Sequence, residues 1–377
     1  MGKSIRVTAK RHPVVNSPLM VSAEGFDTSG SLGLRDKASG KVIPAQVMYS
    51  KIVWIEEKLL LGETREYELI NDAPAPAASV ELVEKDDRVD FVVGGKLYTS
   101  YHFKGGDNFV RPFLWPVFGP DSLRVTRNFP MEDIDGEKQD HKHHRSIWVA
   151  HGDIDGADNW SEDTGHASQV HREFLKKTSG PVFGQIKAVN DWVDKDGKKQ
   201  LEEKRKITIY NLPDSGWLID LKVIFKATEG DVKFGDTKEG GIAAVRVATS
   251  MDGERDGLIT NSIGGITEAE NWGKPAHWVD YTGPAEGRTV GVAIFDTPGN
   301  FRYPTRWHVR DYGLFAANPF ALSDYLNDKS IDGGHVVKSG ETFKFAYRLC
   351  IHDGDTKSAK IGKRYHAYIN PPEITVE

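Results

Sequence analysis

A single cysteine, Cys350, stands in a chain of 377 residues. One thiol cannot close an internal disulfide, so the fold rests on packing in whichever redox compartment it occupies. No stretch approaches the roughly 18 apolar residues that a membrane-spanning helix needs. The opening Met1 to Val7 lacks the apolar segment of a signal peptide, and a Met-Gly-Lys start also fits a junction that stands in for a removed leader. Charge of one sign is missing too: 49 Lys and Arg against 55 Asp and Glu give −6, with no long run of either. That argues against nucleic acid or an anionic membrane as partner and leaves a small or neutral molecule. GxGxxG, GxxxxGK[ST] and GxSxG are absent, which removes the dinucleotide, P-loop and serine-hydrolase chemistries.

What is present is β-type alternation. From Ser4 to Ile70 short runs such as Ile5-Arg6-Val7-Thr8 and Ile52-Val53-Trp54-Ile55 are broken by Gly and Asp turns, which predicts a small sandwich-like unit over 1–72. The Pro/Ala stretch 73–78 reads as a linker. Beyond it, over 79–377, longer runs return, among them Val89 to Val93, Leu97 to Phe103, Trp217 to Phe225 and Thr342 to Ile351. In Leu218 to Phe225 both faces are apolar, so the expectation is an all-β protein dominated by a large sandwich. One helix is predicted near the end, where Ile361, Tyr365 and Tyr368 recur at helical spacing before Pro371 and Pro372.

Six of the thirteen histidines fall between His141 and His171. Imidazole suits proton transfer near neutral pH and metal ligation, so this is the leading site candidate, against the alternative of a histidine-rich turn bonded to backbone. If the stretch is extended, His141 and His143 share a face, and with His151 or Asp153 from the next strand they would hold a divalent ion. A second constellation runs from Gly235 to Arg246, where Asp236 and Glu239 offer base carboxylates and Arg246 a planar fork; its alternative is an Asp/Gly turn with a solvated salt bridge. The third, Pro304 to Phe320, sets Trp307, His308, Arg310 and Asn318 together, a combination that grips sugars by stacking and charged hydrogen bonds. Trp148, Trp160, Trp272 and Trp278 would extend that platform, and ordinary core packing is the competing role for each.

The segments RPFLWPVFGPDSLRVTRNFP (111–130), DHKHHRSIWVAHGDIDG (140–156), FGDTKEGG (234–241) and PTRWHVRDYGLFAANPF (304–320) resemble the hallmark stretches of the PmoA-like family, labelled "methane oxygenase PmoA" and also a domain of unknown function. A subunit of the membrane methane monooxygenase would need transmembrane helices, so methane oxidation is not expected. More distantly, the order from Arg111 through the Trp-Pro-x-Phe-Gly turn to His143-His144-Arg145 is similar to the galactose mutarotase-like supersandwich, as is Lys338-Ser339-Gly340-Glu341 before the last long strand. These resemblances imply a supersandwich fold and a sugar substrate. They imply His143, His144 and His151 as acid candidates, Glu239 or Asp236 as base, and Arg111 and Arg145 among the binding residues. PmoA-like proteins accompany glycan-degrading genes in bacteria, which makes a periplasmic or secreted location the expectation and a cytoplasmic one the alternative.

The function expected is cleavage or elimination at a glycosidic bond, with an oxidised 3-keto glycoside as one substrate form, by His/carboxylate acid–base chemistry. A mutarotase or epimerase and a non-catalytic carbohydrate-binding protein are the alternatives.

Overall fold

The computed structural model describes residues 3–105, 109–213 and 216–377. The protein is all-β, with 49% of residues in strands and 6% in helices, so sheet packing positions everything else. Seven strands form an N-terminal sheet in the order Val14–Ser22, Lys51–Leu59, Val42–Met48, Gly33–Asp36, Thr64–Ile70, Ser4–Thr8, Glu373–Val376. Ile5 and Val7 near one end share a core with Val14 and Leu19 at the other, around Trp54 and Tyr67, so the sheet folds on itself. Its last strand comes from the far end of the chain: Ile5 pairs with Val376 and Val7 with Ile374. The second unit, expected to run to residue 377, therefore does not keep Glu373–Val376 in its own sheets. Residues 73–78 carry no strand or helix.

Most of the rest forms two eight-stranded antiparallel sheets packed face to face, the supersandwich architecture, with a two-stranded ribbon of Val232–Phe234 and His335–Val337 beside them. In the front sheet the order is Trp307–Arg310, Leu314–Ala317, Gly240–Arg246, Ile147–His151, Phe113–Val117, Lys96–His102, Arg88–Val93, Val80–Glu84. In the back sheet it is Ser168–Thr178, Phe183–Val193, Lys199–Tyr210, Trp217–Lys226, Thr342–Asp353, Arg288–Phe295, Trp278–Ala285, Leu258–Asn261. Alternation drives this pairing. Ile219, Leu221, Val223 and Phe225 point between the sheets with Ile147, Val149, Val245 and Phe315, a layer whose removal from water stabilises the fold by roughly 25 cal/mol per Å².

The outer face of the back sheet is covered as well. Phe295 and Cys350 pack there with Val53 and Ile55 of the N-terminal sheet and with Ile361 and Tyr365. The last two lie on the expected terminal helix, Ile361–Ile369. The front sheet's outer face is left for the chemistry.

Candidate active site on the outer face of the front sheet

Strand alternation sorts the front sheet into two populations. On Ile147–His151, the side chains of Ile147 and Val149 enter the inter-sheet core, while Trp148 and Ala150 lie on the outer face with Phe113, Ala244, Leu314 and Ala316. On Trp307–Arg310, Trp307 and Val309 are core, and His308 and Arg310 are outer. Small residues hollow this face. A Cβ on Gly241 would stand 2.7 Å from the Ala316 Cβ and 2.9 Å from that of Ala244, so only glycine fits. The hollow lets Trp160 lie against the sheet, tilted 5.5 Å from Trp148 and stacked 6.1 Å from His308.

The histidine segment is a turn, not the extended strand expected. His141 and Ser146 have φ of +42° and +60°, and the His144 N–H donates to the His141 carbonyl at 2.9 Å. His141 and His143 therefore do not share a strand face; instead His141 stacks on His144 at 4.8 Å and on Tyr312 at 4.8 Å. Buried arginines hold the turn by its carbonyls, since a guanidinium carries five donors and no acceptor. Arg127 donates to the Asp140 carbonyl at 2.8 Å and to that of His141 at 2.9 Å. Arg111 reaches the His143 carbonyl at 3.2 Å and the Trp160 carbonyl at 2.8 Å. Arg145 grips Glu162 with two bonds of 2.7 Å, and Glu162 also takes Arg111 at 3.2 Å. Arg111 and Arg145, two of the four arginines expected to touch substrate, thus build a wall of the site.

Arg246 sits with its guanidinium 4.7 Å from the Tyr312 ring centre. It donates to Asp140 Oδ1 at 2.7 Å and to His144 Nδ1 at 3.0 Å. Because arginine can only donate, His144 Nδ1 must accept, which assigns the proton of His144 to Nε2. Burial, and then the charges of His143 and Arg246, push His144 well below the usual histidine range. His143 is pushed down to about 4 by burial and Arg111, and His308 to about 3 by burial with Arg310 and Lys238. These three rings are neutral at neutral pH. They act as hydrogen-bonding groups, not as the imidazolium acids that His143 and His144 were expected to be.

His141 differs from them. Its side chain is 40% exposed, and its Nδ1 lies 3.4 Å from Asp140 Oδ2. Burial works against the Asp140 charge, but the bond to His141 and the charges of Arg246 and Arg127 outweigh it and hold the carboxyl well below its ordinary range. A carboxylate on Nδ1 leaves the Nε2 lone pair as the base, the logic of an oriented catalytic imidazole. The sequence reading held His141 only as a metal ligand and did not single out Asp140.

The remaining expected residues divide. Glu239 is at the rim, 43% exposed and paired with Lys238 at 2.9 Å; its charge reaches Tyr312 and Tyr325. Arg310 shares that rim, 3.9 Å above the Trp272 ring and bonded to Glu268 at 2.7 Å. Four others face elsewhere. His151 is on the core face of its strand, 4.7 Å from Phe320, with Nε2 on the Gly235 carbonyl at 3.0 Å. It does not converge with His141 and His143, so the expected metal triad is divided by the sheet itself; among the described residues no three His, Cys, Asp or Glu are grouped to hold an ion. Trp307 is core, its indole N–H on the Ala276 carbonyl at 2.9 Å. Asp236 accepts the Ser323 and Gly333 N–H groups at 3.0 and 2.7 Å, and Asn318 holds the Thr237 and Lys238 carbonyls. Both fix the turn that presents Glu239.

Arg127, Asp140, Glu162 and Tyr312 enter the site from loops, and Glu268 from the one-turn helix Thr267–Asn271, none of them long enough to carry periodicity. Around the site, the Trp148 and Trp160 indole N–H groups, His308 Nδ1 and the Tyr325 hydroxyl are buried without a protein hydrogen-bond partner, polar groups that the packing leaves unsatisfied.

Among curated proteins, no match is found. Among solved structures, the chain is similar to a protein in the glycosyl hydrolase family 38 from Enterococcus faecalis, at 11% identity and a TM-score of 0.43, covering 100% of this chain but only 47% of that one. It is also similar to a galactose mutarotase related enzyme from Lactobacillus acidophilus, at 9% identity and a TM-score of 0.31, over 74% of this chain and 98% of that one. The family model DUF6807 matches residues 88–366, which takes in seven of the front sheet's eight strands and every element of the site just described, and the chain belongs to this family of unknown function.

Proposed function

We propose that the protein is a carbohydrate-active enzyme that removes a proton next to the carbonyl of an oxidised sugar and so eliminates or cleaves at the adjoining glycosidic bond. The observation that carries this reading is the contrast within the histidine turn: one exposed imidazole, His141, set on a carboxylate, among neutral imidazoles and buried arginines. Around the turn Arg111, Arg127, Arg145 and Arg246 face Asp140, Asp158 and Glu162, a surplus of one positive charge in a chain of net charge −6. Such a field favours a developing enolate and opposes an oxocarbenium ion. Hydrolysis by the usual pair of carboxylates needs two free ones flanking the bond. Asp140, Glu162 and Glu268 are each held by arginine, Asp236 and Asp158 by backbone N–H groups, and Glu239 at the rim pairs with Lys238.

On a glycoside oxidised at C3, His141 Nε2 takes the C2 proton, the electron pair of that C–H bond passes into an enolate, and the neutral N–H donors and arginines stabilise its oxygen. Collapse of the enolate breaks the C1–O bond, and the imidazolium of His141 returns its proton to the departing oxygen. Trp272 supplies an aromatic surface at the rim, and Arg310 and Glu239 hydrogen bonds to hydroxyls. The resemblance to PmoA-like sequences supports the same sugar reading. The test is a proton NMR time course with glycosides and their 3-keto derivatives. Enone or free aglycone from the keto forms alone is expected; turnover of unoxidised glycosides at equal rate would contradict the proposal, and isomer exchange without bond cleavage would move it to an epimerase.

A further inference from the structure

A second cleft adjoins the turn. Its volume is about 680 Å³, within the range of ligand pockets, roughly 300–1,000 Å³. It runs between the loop 162–168 and the turn 193–197, along the edge of the sandwich where Ser168–Thr178 is the last strand of the back sheet. Lys142 and Glu162 belong to its walls. Lys142 lies between His141 and His143 in sequence, and Glu162 is the carboxylate gripped by Arg111 and Arg145, so the partition between cleft and site is one buried, doubly hydrogen-bonded ion pair. Such a wall is set before any ligand arrives, which cuts the ordering cost of binding.

The lining suits a saccharide. Asp163, His166, Asp194 and Lys142 offer hydrogen bonds, while Val170 and Val193 offer an apolar strip for the C–H face of a ring. Val170 is 51% exposed. Gly165 and Gly197, at φ of +88° and +79°, have nothing within 4 Å of where a Cβ would stand, so the banks stay low and the cleft open-ended. We infer that this cleft is a run of subsites that holds the rest of a glycan chain while its oxidised or terminal residue sits at His141, and that the substrate class is an oligosaccharide longer than a disaccharide. The inference rests on the sugar reading above and adds the length and direction of the substrate.

The test is calorimetric titration with gluco-oligosaccharide ladders of cellulose, laminarin and starch type, from glucose to the hexaose, against the wild type, Ser168→Trp and Val170→Trp. The two variants fill the cleft from different positions on an edge strand, away from the histidine turn. In at least one ladder, affinity is expected to rise by about tenfold or more from the monosaccharide to the tetraose, with the rise lost in both folded variants and monosaccharide affinity kept. Affinity independent of length in every ladder, or a rise that survives both variants, overturns the cleft. Turnover of a 3-keto monosaccharide glycoside without any gain from chain length overturns the cleft and spares the site; no binding or turnover of any sugar sinks both.

Discussion

The two faces of the front sheet are made by the same strands and do opposite work. Trp307 and Val309 close the core, whereas His308 and Arg310, one residue along, build the site; Ile147 and Val149 stand in the same relation to Trp148 and Ala150. Because the side-chain period of a strand is two, register alone decides which of two neighbours is structural and which is chemical. Residue type does not. His141 directly follows Asp140 and His151 lies two residues before Asp153, yet one opens to solvent beside its aspartate and the other is sealed against Phe320.

That contrast can be broken most strongly on a single strand. Trp307→Ala empties the core face and is expected to cost about 3–5 kcal/mol of stability, read as a shift of the denaturant midpoint. Arg310→Ala, three residues away on the outer face, removes an ion pair that is 23% and 28% exposed, worth at most about 1 kcal/mol to the fold, but should weaken sugar binding. Equal losses of stability in the two variants would undo the division of faces.

A smaller effect separates the histidines by pH. Burial pushes His151 down to about 4, so the folded chain keeps it neutral while the unfolded chain takes up a proton below about 6.5. Its contribution to stability is full above pH 6.5 and is lost as the pH falls towards 4. His151→Leu should flatten part of that slope in unfolding measured from pH 7 to 4 and leave turnover unchanged, His143, His144 and His308 supplying the remainder. A loss of turnover with the slope intact would return His151 to the site.

Much of this architecture was legible in the sequence. Alternating runs predicted the strands, and the spacing of Ile361, Tyr365 and Tyr368 the terminal helix. The return of Glu373–Val376 to pair with Ser4–Thr8 was not legible, because four residues behind Pro371-Pro372 look like a tail until a partner some 370 positions away is known. The candidate segments were found, but not their facing. Residue type alone makes His143 and His144 candidate acids, whereas their burial beside arginines lowers both below the usual histidine range. Glu162 is not legible as part of the site, because its partners Arg111 and Arg145 are distant in the chain, and Asp140 gains its fixed charge only from Arg127 and Arg246.

The central claim is that His141, set by Asp140, moves the proton beside a sugar carbonyl. The most direct measurement is deuterium uptake at C2 of methyl 3-keto-glucoside in D₂O, followed by proton NMR with wild type and with His141→Ala. The wild type should accelerate loss of the C2 proton signal or convert it to enone, and His141→Ala, at an exposed position, should fold with an unchanged midpoint and lose that acceleration by about 10²–10⁴-fold. Exchange at the buffer rate in the wild type, or undiminished exchange in His141→Ala, would contradict the account.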